Sequence, residues 1–373
     1  MPAREAVFID HPSFSAAAWH GLHPLAFSRQ ANVKALAGMM DWLSPGAIRQ
    51  AQLPSRESLL RFHEPDYVDA LEAAVEAGQV PREMRERYGF GTMENPIFPG
   101  LFTRASATVG GSIAAAEAAL EGKLAFHPAG GTHHGKPGRA SGFCYFNDPA
   151  FAIQRLLEAG AGPLLYLDLD AHHGDGVELL FAGYPDVFTL SLHEEGRWPH
   201  SGGPGEAGPP NAMNIAVPRG LNDSELDWLF DGPIAEQAMR VKPGSLVVTA
   251  GADCLLGDPL SAMALSNHAL WRAVLRAAEW ADHVVVLGGG GYNPWTVTRG
   301  WAGLWACLAG KDVEAPLVAE AAEMLASFEC DLVDSDEIDP LWLSAIADAP
   351  NEGSVRDLVK QRAAAALRVP AGR

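Results

Sequence analysis

The sequence predicts an α/β protein with a mainly parallel sheet that is covered by helices on both faces. Four short runs are apolar almost throughout, which is typical of buried strands: residues 164–167, 187–190, 246–249 and 283–287. Helix-like segments lie between them, at residues 148–159, 223–241 and 266–282. Because parallel strands need long crossover connections, this alternation favours parallel over antiparallel pairing.

Outside this central region, the start of the chain is mostly helical. Residues 1–10 resemble the first strand of the fold more than a signal peptide. Acidic residues lie close to the N-terminus, and the long apolar core of a signal peptide is missing. The N-terminal third, to about residue 120, has its clearest helices at 28–43 and 105–120. We expect one domain, residues 1–373, in which residues 311–373 form a helical C-terminal appendage.

Composition limits the classes of partner. The chain has 373 residues, 27 Lys+Arg against 46 Asp+Glu, and a formal net charge of -19. Nucleic acids and anionic membranes are usually bound by basic patches, so neither is expected as a partner. The four cysteines form no C-x-x-C pair, and no stretch reaches the ~20 apolar residues of a membrane helix. We expect a cytoplasmic protein, whose charge would suit a cationic substrate.

Unusual polar residues follow the ends of several predicted strands. They are His133 and His134 after the apolar run 124–126, Asp168, Asp170 and His172 after 164–167, Asp253 after 246–249, and Tyr292 after 283–287 and a glycine run. In open parallel sheets, ligands bind beyond the carboxyl ends of the strands. The sequence therefore predicts one convergent site at this edge.

The spacing of Asp168, Asp170 and His172 predicts a metal site. Residues two apart in an extended segment share a face, and two buried carboxylates repel unless a cation or proton lies between them. One such aspartate alone is more often a helix cap or turn residue, but three aligned ligands favour a metal. With Asp253, the pair Asp170 and His172 completes the three protein ligands of a catalytic zinc centre; Fe²⁺, Co²⁺ or Mn²⁺ also suit these ligands.

The adjacent His133 and His134 are candidate acid–base groups. In isolation, such a pair is as often found at the surface as in a site. Asp168 and Asp175 each offer an imidazole a carboxylate that fixes its tautomer and raises its basicity. We expect one histidine to deprotonate a metal-bound water and the other to protonate a leaving amine. Tyr292 either packs as an ordinary loop tyrosine or donates its hydroxyl to a developing oxyanion.

Two glycine-rich segments partly match nucleotide-binding loops. Residues 130–136 satisfy most of the P-loop pattern, but Pro137 stands where the Ser or Thr that holds Mg²⁺ is required. Residues 288–291 lack the G-x-G-x-x-G spacing and the acidic residue ~20 positions later. An NTPase and a dinucleotide-dependent enzyme are therefore disfavoured.

Five motifs occur in a specific order along the chain. They are GGTHHG at 130–135, SGFCYFND at 141–148, DLDAHHGDG at 168–176, GAD at 251–253 with GDP at 257–259, and GGGGYN at 288–293. In this order the chain resembles the zinc-dependent histone deacetylase family and its bacterial acetoin-utilisation and acetylpolyamine-amidohydrolase relatives, over about residues 15–310. The resemblance implies an arginase-like, three-layer α/β/α fold with about eight mostly parallel strands.

The resemblance also implies a role for each polar residue. One zinc ion per chain would be bound by Asp170, His172 and Asp253. Tyr292 would polarise the amide carbonyl of the substrate. His134, paired with Asp175, would be the main general base and acid, while His133 would pair with Asp168.

The resemblance further implies a narrow tunnel for a linear acylated amine. Phe143 and Trp198 would form its walls, with Gly142 beneath and Leu260 and Glu94 at the rim. A structural K⁺ or Na⁺ would lie near Asp168, Asp170, His172, Ser191 and Leu192. The family commonly has phenylalanine where Trp198 stands and aspartate at the rim position for which Glu94 is the nearest candidate. Leu260 replaces the glutamate of some polyamine-specific relatives, which favours acetyl-lysine-like substrates.

The sequence thus predicts a zinc-dependent amidohydrolase that removes acetyl or other short acyl groups from acyl-lysine-like amines. An acetylpolyamine or small-metabolite amide deacetylase is an alternative on the same site. A binuclear manganese ureohydrolase shares the fold but needs a second carboxylate two residues after Asp253, where Leu255 stands. A non-catalytic acyl-amine binder is disfavoured because every candidate catalytic group is present. The chain could also form a homo-oligomer.

Overall fold

A computed structural model describes residues 4–15 and 23–367, and its strands within these residues form one sheet. The strands are Ala6–Asp10 (β1), Ile48–Gln50 (β2), Leu124–His127 (β3), Leu164–Asp168 (β4), Val187–Glu194 (β5), Ala212–Val217 (β6), Ser245–Thr249 (β7) and His283–Leu287 (β8). Their order is β2-β1-β3-β8-β7-β4-β5-β6, and each neighbouring pair is parallel. The predicted parallel sheet of about eight strands is confirmed.

Helices connect these strands. They are Arg29–Met39 (α1), Arg56–Leu59 (α2), Pro65–Ala77 (α3), Arg82–Tyr88 (α4), Leu101–Leu120 (α5), Asp148–Glu158 (α6), Asp175–Leu180 (α7), Asp223–Leu229 (α8), Ala235–Val241 (α9), Asn267–Ala277 (α10), Pro294–Leu308 (α11), Ala319–Ala326 (α12) and Asp357–Leu367 (α13). Residues 223–241, expected as one helix, are divided by a π-helical turn that contains Pro233. Proline lacks the N–H needed to continue the α-helical hydrogen bonds. Among the described residues, no helix has the length and apolar character needed to span a membrane.

The central strands are apolar because they are buried on both faces. Successive side chains of a strand point to opposite sides of the sheet. On β8, Val284 and Val286 belong to the core formed with α1, α10 and α11. Val285 and Leu287 belong to the core on the other face, formed with α5 and α6. This arrangement gives the three layers of the fold.

Most strands were predictable, and the edge strands were not. The apolar runs predicted as strands are β4, β5, β7 and β8, and the predicted first strand is β1. The edge strand β2 has three residues, too few for a clear pattern. In β6, at the other edge, the apolar run is interrupted by Asn214, whose Nδ2 donates to Glu178 Oε2 at 2.7 Å.

The C-terminal segment packs against the core. Trp295 Nε1 on α11 donates to Leu325 O at 2.8 Å, and Arg299 Nη2 donates to Asp348 Oδ1 at the same distance. Helix α13 packs on β6. Up to residue 367 the appendage contains α12, α13 and a 3₁₀ turn at Pro340–Leu343, joined by irregular chain. From these contacts we propose that residues 1–373 form a single domain.

Candidate active site

The carboxyl ends of four adjacent strands, β3, β8, β7 and β4, form the candidate site. Each of the four loops that follow these strands carries one of the polar motifs. Because neighbouring parallel strands end at the same edge of a sheet, motifs that are more than 150 residues apart in sequence become neighbours in space. Asp170 and His172 lie in the loop after β4, and Asp253 lies in the loop after β7. Ligand atoms of these three buried side chains lie within 4.8 Å of one another.

Backbone groups hold the two carboxylates of the triad in place, and the carboxylates hold His172. Gly290 N donates to Asp170 Oδ2 at 2.6 Å, and Ala171 N donates to Asp253 Oδ1 at 2.9 Å. His172 Nδ1 lies 2.9 Å from Asp253 Oδ2 and 3.2 Å from Asp170 Oδ1. A Cβ at Gly290 would collide with the Asp253 carboxylate, so only glycine allows this close approach of the backbone.

The electrostatics of this cluster fit a divalent cation. Burial and the charge of Asp170 raise the pKa of Asp253 to about 6. Burial alone would lower the pKa of His172, but hydrogen bonds to Asp170 and Asp253 outweigh it and raise this pKa well above its ordinary value. Positive charge is therefore strongly favoured between the two carboxylates. The three residues form a possible metal-binding triad of the type with one imidazole and two carboxylates.

Both histidines of the 130–135 motif are paired with the expected carboxylates. His133 Nδ1 donates to Asp168 Oδ2 at 2.7 Å, and His134 Nδ1 donates to Asp175 Oδ1 at 2.8 Å. The two imidazole rings lie 3.9 Å apart between centroids. The hydroxyl of Tyr166 also donates a hydrogen bond to Asp168 Oδ2, at 2.7 Å, and this bond fixes the position of the carboxylate.

The two histidines differ in their electrostatic surroundings. Burial lowers the pKa of His133, but the charges of Asp168 and Asp170 outweigh it and raise the value to about 9. Burial and the neighbouring His133 lower the pKa of His134 to about 3, in spite of Asp175. At neutral pH this geometry therefore favours a cationic His133 and a neutral His134. A neutral imidazole is the form that accepts a proton.

Tyr292 is fixed by its backbone. Gly289 and Gly291 before it both have φ of +140°, a region that glycine adopts without strain. Tyr292 N donates to Asp258 Oδ2 at 2.7 Å, and its ring lies 6.4 Å from that of His172. Burial and the charges of Asp253 and Asp170 raise the pKa of Tyr292 well above its ordinary value. Its phenol is therefore a protonated donor at neutral pH.

A cavity of about 410 Å³ opens above these groups. It is lined by Glu94, His134, Gly142, Phe143, His172, Arg197, Trp198, Pro259, Leu260 and Tyr292. The ring of Trp198 lies edge-on to His134, with 4.6 Å between centroids, and Phe143 lies 5.7 Å from Tyr292. A Cβ at Gly142 would collide with the Trp198 ring. The five residues predicted for the tunnel and its rim therefore line one cavity.

The residues suggested for a monovalent cation lie on adjacent strands. Asp168 and Ser191 are paired in the register of β4 and β5, and both are buried. Ser191 Oγ lies 2.9 Å from His193 Nδ1. Leu192 is buried in the core on the side of α1 and α10.

Sequence reasoning assigned no role to three residues that organise the site. Asp258 accepts hydrogen bonds from Tyr292 N and, at 2.9 Å, from Leu260 N. Its place in the GDP motif was the only sequence signal for this residue. Arg29 Nη1 donates to Gly289 O at 2.9 Å from a helix distant in sequence, for which no signal existed. Lys136 Nζ lies 3.0 Å from Asp175 Oδ2 and was considered only as a P-loop residue.

This fold places the protein in the arginase/deacetylase class of three-layer α/β proteins. Within that class, the chain belongs to the histone deacetylase family, because the histone deacetylase domain matches residues 23–308. It is a deacetylase of the hydrolase class.

Individual relatives support this assignment. The chain is 36% identical over 325 residues to the acetoin utilization protein AcuC of Bacillus subtilis, covering 83% of each chain. It is 31% identical to histone deacetylase 8 of Xenopus laevis, covering 71% of this chain and 84% of that one. A crystal structure of an HDAC homolog from Aquifex aeolicus has a TM-score of 0.91 and 34% identity, covering 97% of this chain and 100% of the other. A structure of an HDAC homolog complexed with SAHA matches with the same score and identity.

The carboxylate of Asp258 is expected to position Tyr292. Each of its oxygens accepts one backbone N–H, and the amide of Asn offers only one acceptor oxygen. We expect Asp258→Asn to lower kcat by about tenfold, since one buried N–H loses its partner, and to leave the metal content unchanged. Steady-state kinetics with metal analysis of the same preparation tests this. An unchanged kcat would show that Asp258 does not position Tyr292.

Proposed function

We propose that the protein is a zinc-dependent amidohydrolase that removes acetyl or other short acyl groups from acyl-lysine-like amines. One observation carries the proposal: the buried cluster of Asp170, His172 and Asp253 lies at the base of an apolar cavity, beside a neutral His134 and a protonated Tyr292. A ligand triad, a base and a hydroxyl donor at one point are the groups that amide hydrolysis by activated water requires.

The donor set suits one zinc ion per chain, held by Asp170, His172 and Asp253, although Fe²⁺ or Co²⁺ would fit the same ligands. Bound zinc would supply Lewis-acid chemistry at this edge of the sheet. Two buried carboxylates together balance the charge of one divalent ion. Leu255, at the position where a ureohydrolase needs a further carboxylate, is buried in the hydrophobic core, so the cluster is suited to a single ion.

The protein's own side chains provide the proton transfers. His134, neutral at the start, accepts the proton of the attacking water at its Nε2 while Nδ1 stays bonded to Asp175. The same Nε2 then returns a proton to the departing amine nitrogen. His133 stays paired with Asp168, whose charge raises the pKa of His133 and favours its protonated form. Tyr292 donates its hydroxyl to the carbonyl oxygen as negative charge develops there.

The cavity supports a linear substrate. Phe143 and Trp198 provide apolar walls, and Leu260 places no charge at the rim. One similar structure is a complex with SAHA. We propose that the corresponding cleft of this chain also binds a small ligand. An acylated primary amine reaches the catalytic groups with its acyl end, while its apolar chain lies between the two aromatic rings.

The proposal is tested by comparing kcat/KM on an acetyl-lysine peptide, N-acetylputrescine and amines with longer acyl groups, with zinc counted in the active protein. We expect one zinc per chain and a preference for the acetyl-lysine peptide. A thousandfold preference corresponds to roughly 4 kcal/mol of differential transition-state binding. A strong preference for N-acetylputrescine would instead identify a polyamine deacetylase, and no hydrolysis of any amide would contradict the proposal.

Trp198 is expected to contribute to substrate binding more than to chemistry. Its ring forms a wall of the cavity and lies edge-on to His134. We expect Trp198→Ala to raise KM for acetyl-lysine peptides by about tenfold, because apolar contact with the substrate chain is lost, with a smaller effect on kcat. Trp198→Phe keeps an aromatic wall and should remain within about threefold of the parent KM. Equal KM values for all three proteins would exclude Trp198 from the binding surface.

We also propose that K⁺ or Na⁺ binds near Asp168 and Ser191 and stabilises the end of β4. In this proposal the backbone around Asp170, His172 and Leu192 contributes to binding the cation. The register pairing of Asp168 with Ser191 supports it. A rise in Tm and activity with KCl, relative to tetramethylammonium chloride at equal ionic strength, is the expected result.

We further propose a cytoplasmic location, which the four unpaired cysteines support.

A further inference from the structure

An arginine lies at the mouth of the cavity although the chain as a whole is strongly acidic, with a net charge of -19. Arg197 lines the cavity beside Trp198 and Leu260. The proposed hydrolysis gives it no role, since no step at the acyl group needs a second cation. Its side chain is 32% exposed whereas the triad is buried, so Arg197 lies toward the solvent side of the cavity, where the end of a substrate opposite to its acyl group would lie.

The guanidinium of Arg197 is held in place from the protein side. Its Nε donates to Glu194 Oε2 at 2.8 Å, and the side chain of Glu194 is only 2% exposed. The same oxygen accepts a hydrogen bond from Ala262 N at 2.7 Å, in the loop that carries Leu260. Glu194 therefore joins the two loops of the rim and fixes the direction of the Arg197 side chain.

The two Nη atoms of Arg197 have no hydrogen-bond partner among the residues that the structure describes. Other arginines near the C-terminus use more of their donors. Arg362 binds Glu195 through both Nε and Nη2, and Arg356 donates from Nε and both Nη atoms. A guanidinium offers five N–H donors in a planar fork that matches a carboxylate. Arg197, with 32% of its side chain exposed, keeps the Nη end of this fork available.

We propose that Arg197 is an anion-binding subsite, so that among acyl-lysine-like amines the protein prefers those with a carboxylate at the end of the chain opposite to the acyl group, as in ω-acylamino acids. This inference rests on the proposed function, because the acyl group must lie at the triad for the carboxylate to reach the mouth. The Nη atoms bind the carboxylate, and Glu194 preorganises them. Free ω-acylated amino acids, and acyl-lysine at a peptide C-terminus, satisfy this requirement, whereas acylated polyamines do not.

The test compares two probes with the same acetamidohexyl chain. 6-Acetamidohexanoate ends in a negatively charged carboxylate, and 6-acetamidohexanamide ends in a neutral carboxamide. We expect kcat/KM to favour the carboxylate by roughly fivefold through a lower KM, a value between those of buried and exposed charge pairs. The ratio should fall to about one in Arg197→Gln and decrease with added salt. Arg197→Lys keeps the charge but loses the fork, so it should retain only part of the preference.

Arg362→Gln is the matched control, because it makes the same change of net charge at an arginine that pairs with Glu195 and is absent from the mouth. It should keep the full preference for the carboxylate. The Tm of every variant shows that the fold is retained. If Arg197→Gln keeps the same preference as the parent and Arg362→Gln, the subsite is wrong.

Calorimetric titration of both probes into the zinc-loaded protein separates this inference from the proposed function. Tighter binding of the carboxylate that is lost in Arg197→Gln supports the subsite even if neither probe is hydrolysed, in which case the proposed hydrolysis fails alone. Hydrolysis of both probes with equal kcat/KM and equal Kd overturns the subsite and leaves the proposed hydrolysis standing.

Discussion

Replacement of Tyr292 by phenylalanine is expected to lower kcat for acyl-amine hydrolysis by about 10²–10³, the usual cost of removing one oxyanion donor. The pKa of Tyr292 is well above its ordinary value, so the phenol stays protonated and donates throughout the neutral range. Phenylalanine keeps the ring packed near Phe143 and His172 and removes only the hydroxyl. KM should change little, because the lost hydrogen bond strengthens mainly in the transition state.

The variant should retain one metal ion per chain, since Tyr292 is not part of the triad. Metal analysis and single-turnover kinetics on the same sample separate a lost donor from a lost metal. Tyr184→Phe is the matched control, because Tyr184 is exposed and is not among the residues that line the cavity. Turnover of Tyr292→Phe at the rate of Tyr184→Phe would remove Tyr292 from the mechanism.

Substitution of Asp253 by asparagine is expected to weaken zinc binding by on the order of a hundredfold or more and to abolish hydrolysis at ordinary zinc concentrations. Asparagine keeps the shape and one oxygen, which can still accept from Ala171 N. It removes one of the two negative charges that a divalent ion needs. The effect on zinc should therefore be electrostatic rather than a consequence of unfolding.

Stability gives a readout that does not depend on activity. Zinc that binds only the folded state raises Tm, and this rise should be nearly absent in Asp253→Asn. In the metal-free protein, the substitution relieves the repulsion between Asp170 and residue 253 that contributes to the raised pKa of Asp253. The metal-free variant should therefore be no less stable than the metal-free parent. Asp282→Asn, at an exposed position, is the control, and a full zinc-induced rise in Asp253→Asn would exclude Asp253 as a ligand.

The two adjacent histidines illustrate how similar sequence positions acquire different chemistry. His133 lies near Asp168 and Asp170, which raise its pKa to about 9. His134 has Asp175, but that carboxylate is shared with Lys136, and burial together with His133 lowers the pKa of His134 to about 3. Two imidazoles whose pKa values are separated in this way take different roles, and the neutral one is suited to be the base.

The sequence alone was sufficient to predict the inner part of this protein. Strands β4, β7 and β8 are buried on both faces, so most of their side chains are apolar, and these apolar runs are visible in the sequence. The two-residue period of an extended segment predicted that Asp170 and His172 share a face. In the structure β4 ends at Asp168 and residues 170–172 form a bend, so the loop and not that period brings the two side chains together. The fold predicted on these grounds is confirmed, whereas the roles of the site residues remain proposals.

Only the tertiary structure determines what depends on contacts between distant segments. The edge strand β2 is only three residues long, and the apolar run of β6 is interrupted by Asn214, so both leave a weak pattern. Asp258 beneath Tyr292 and Arg197 on Glu194 act through hydrogen bonds that no local spacing encodes. The pKa values of His133 and His134 likewise depend on which charges the folded chain brings within a few ångströms, since electrostatic energy falls with distance in space and not along the sequence.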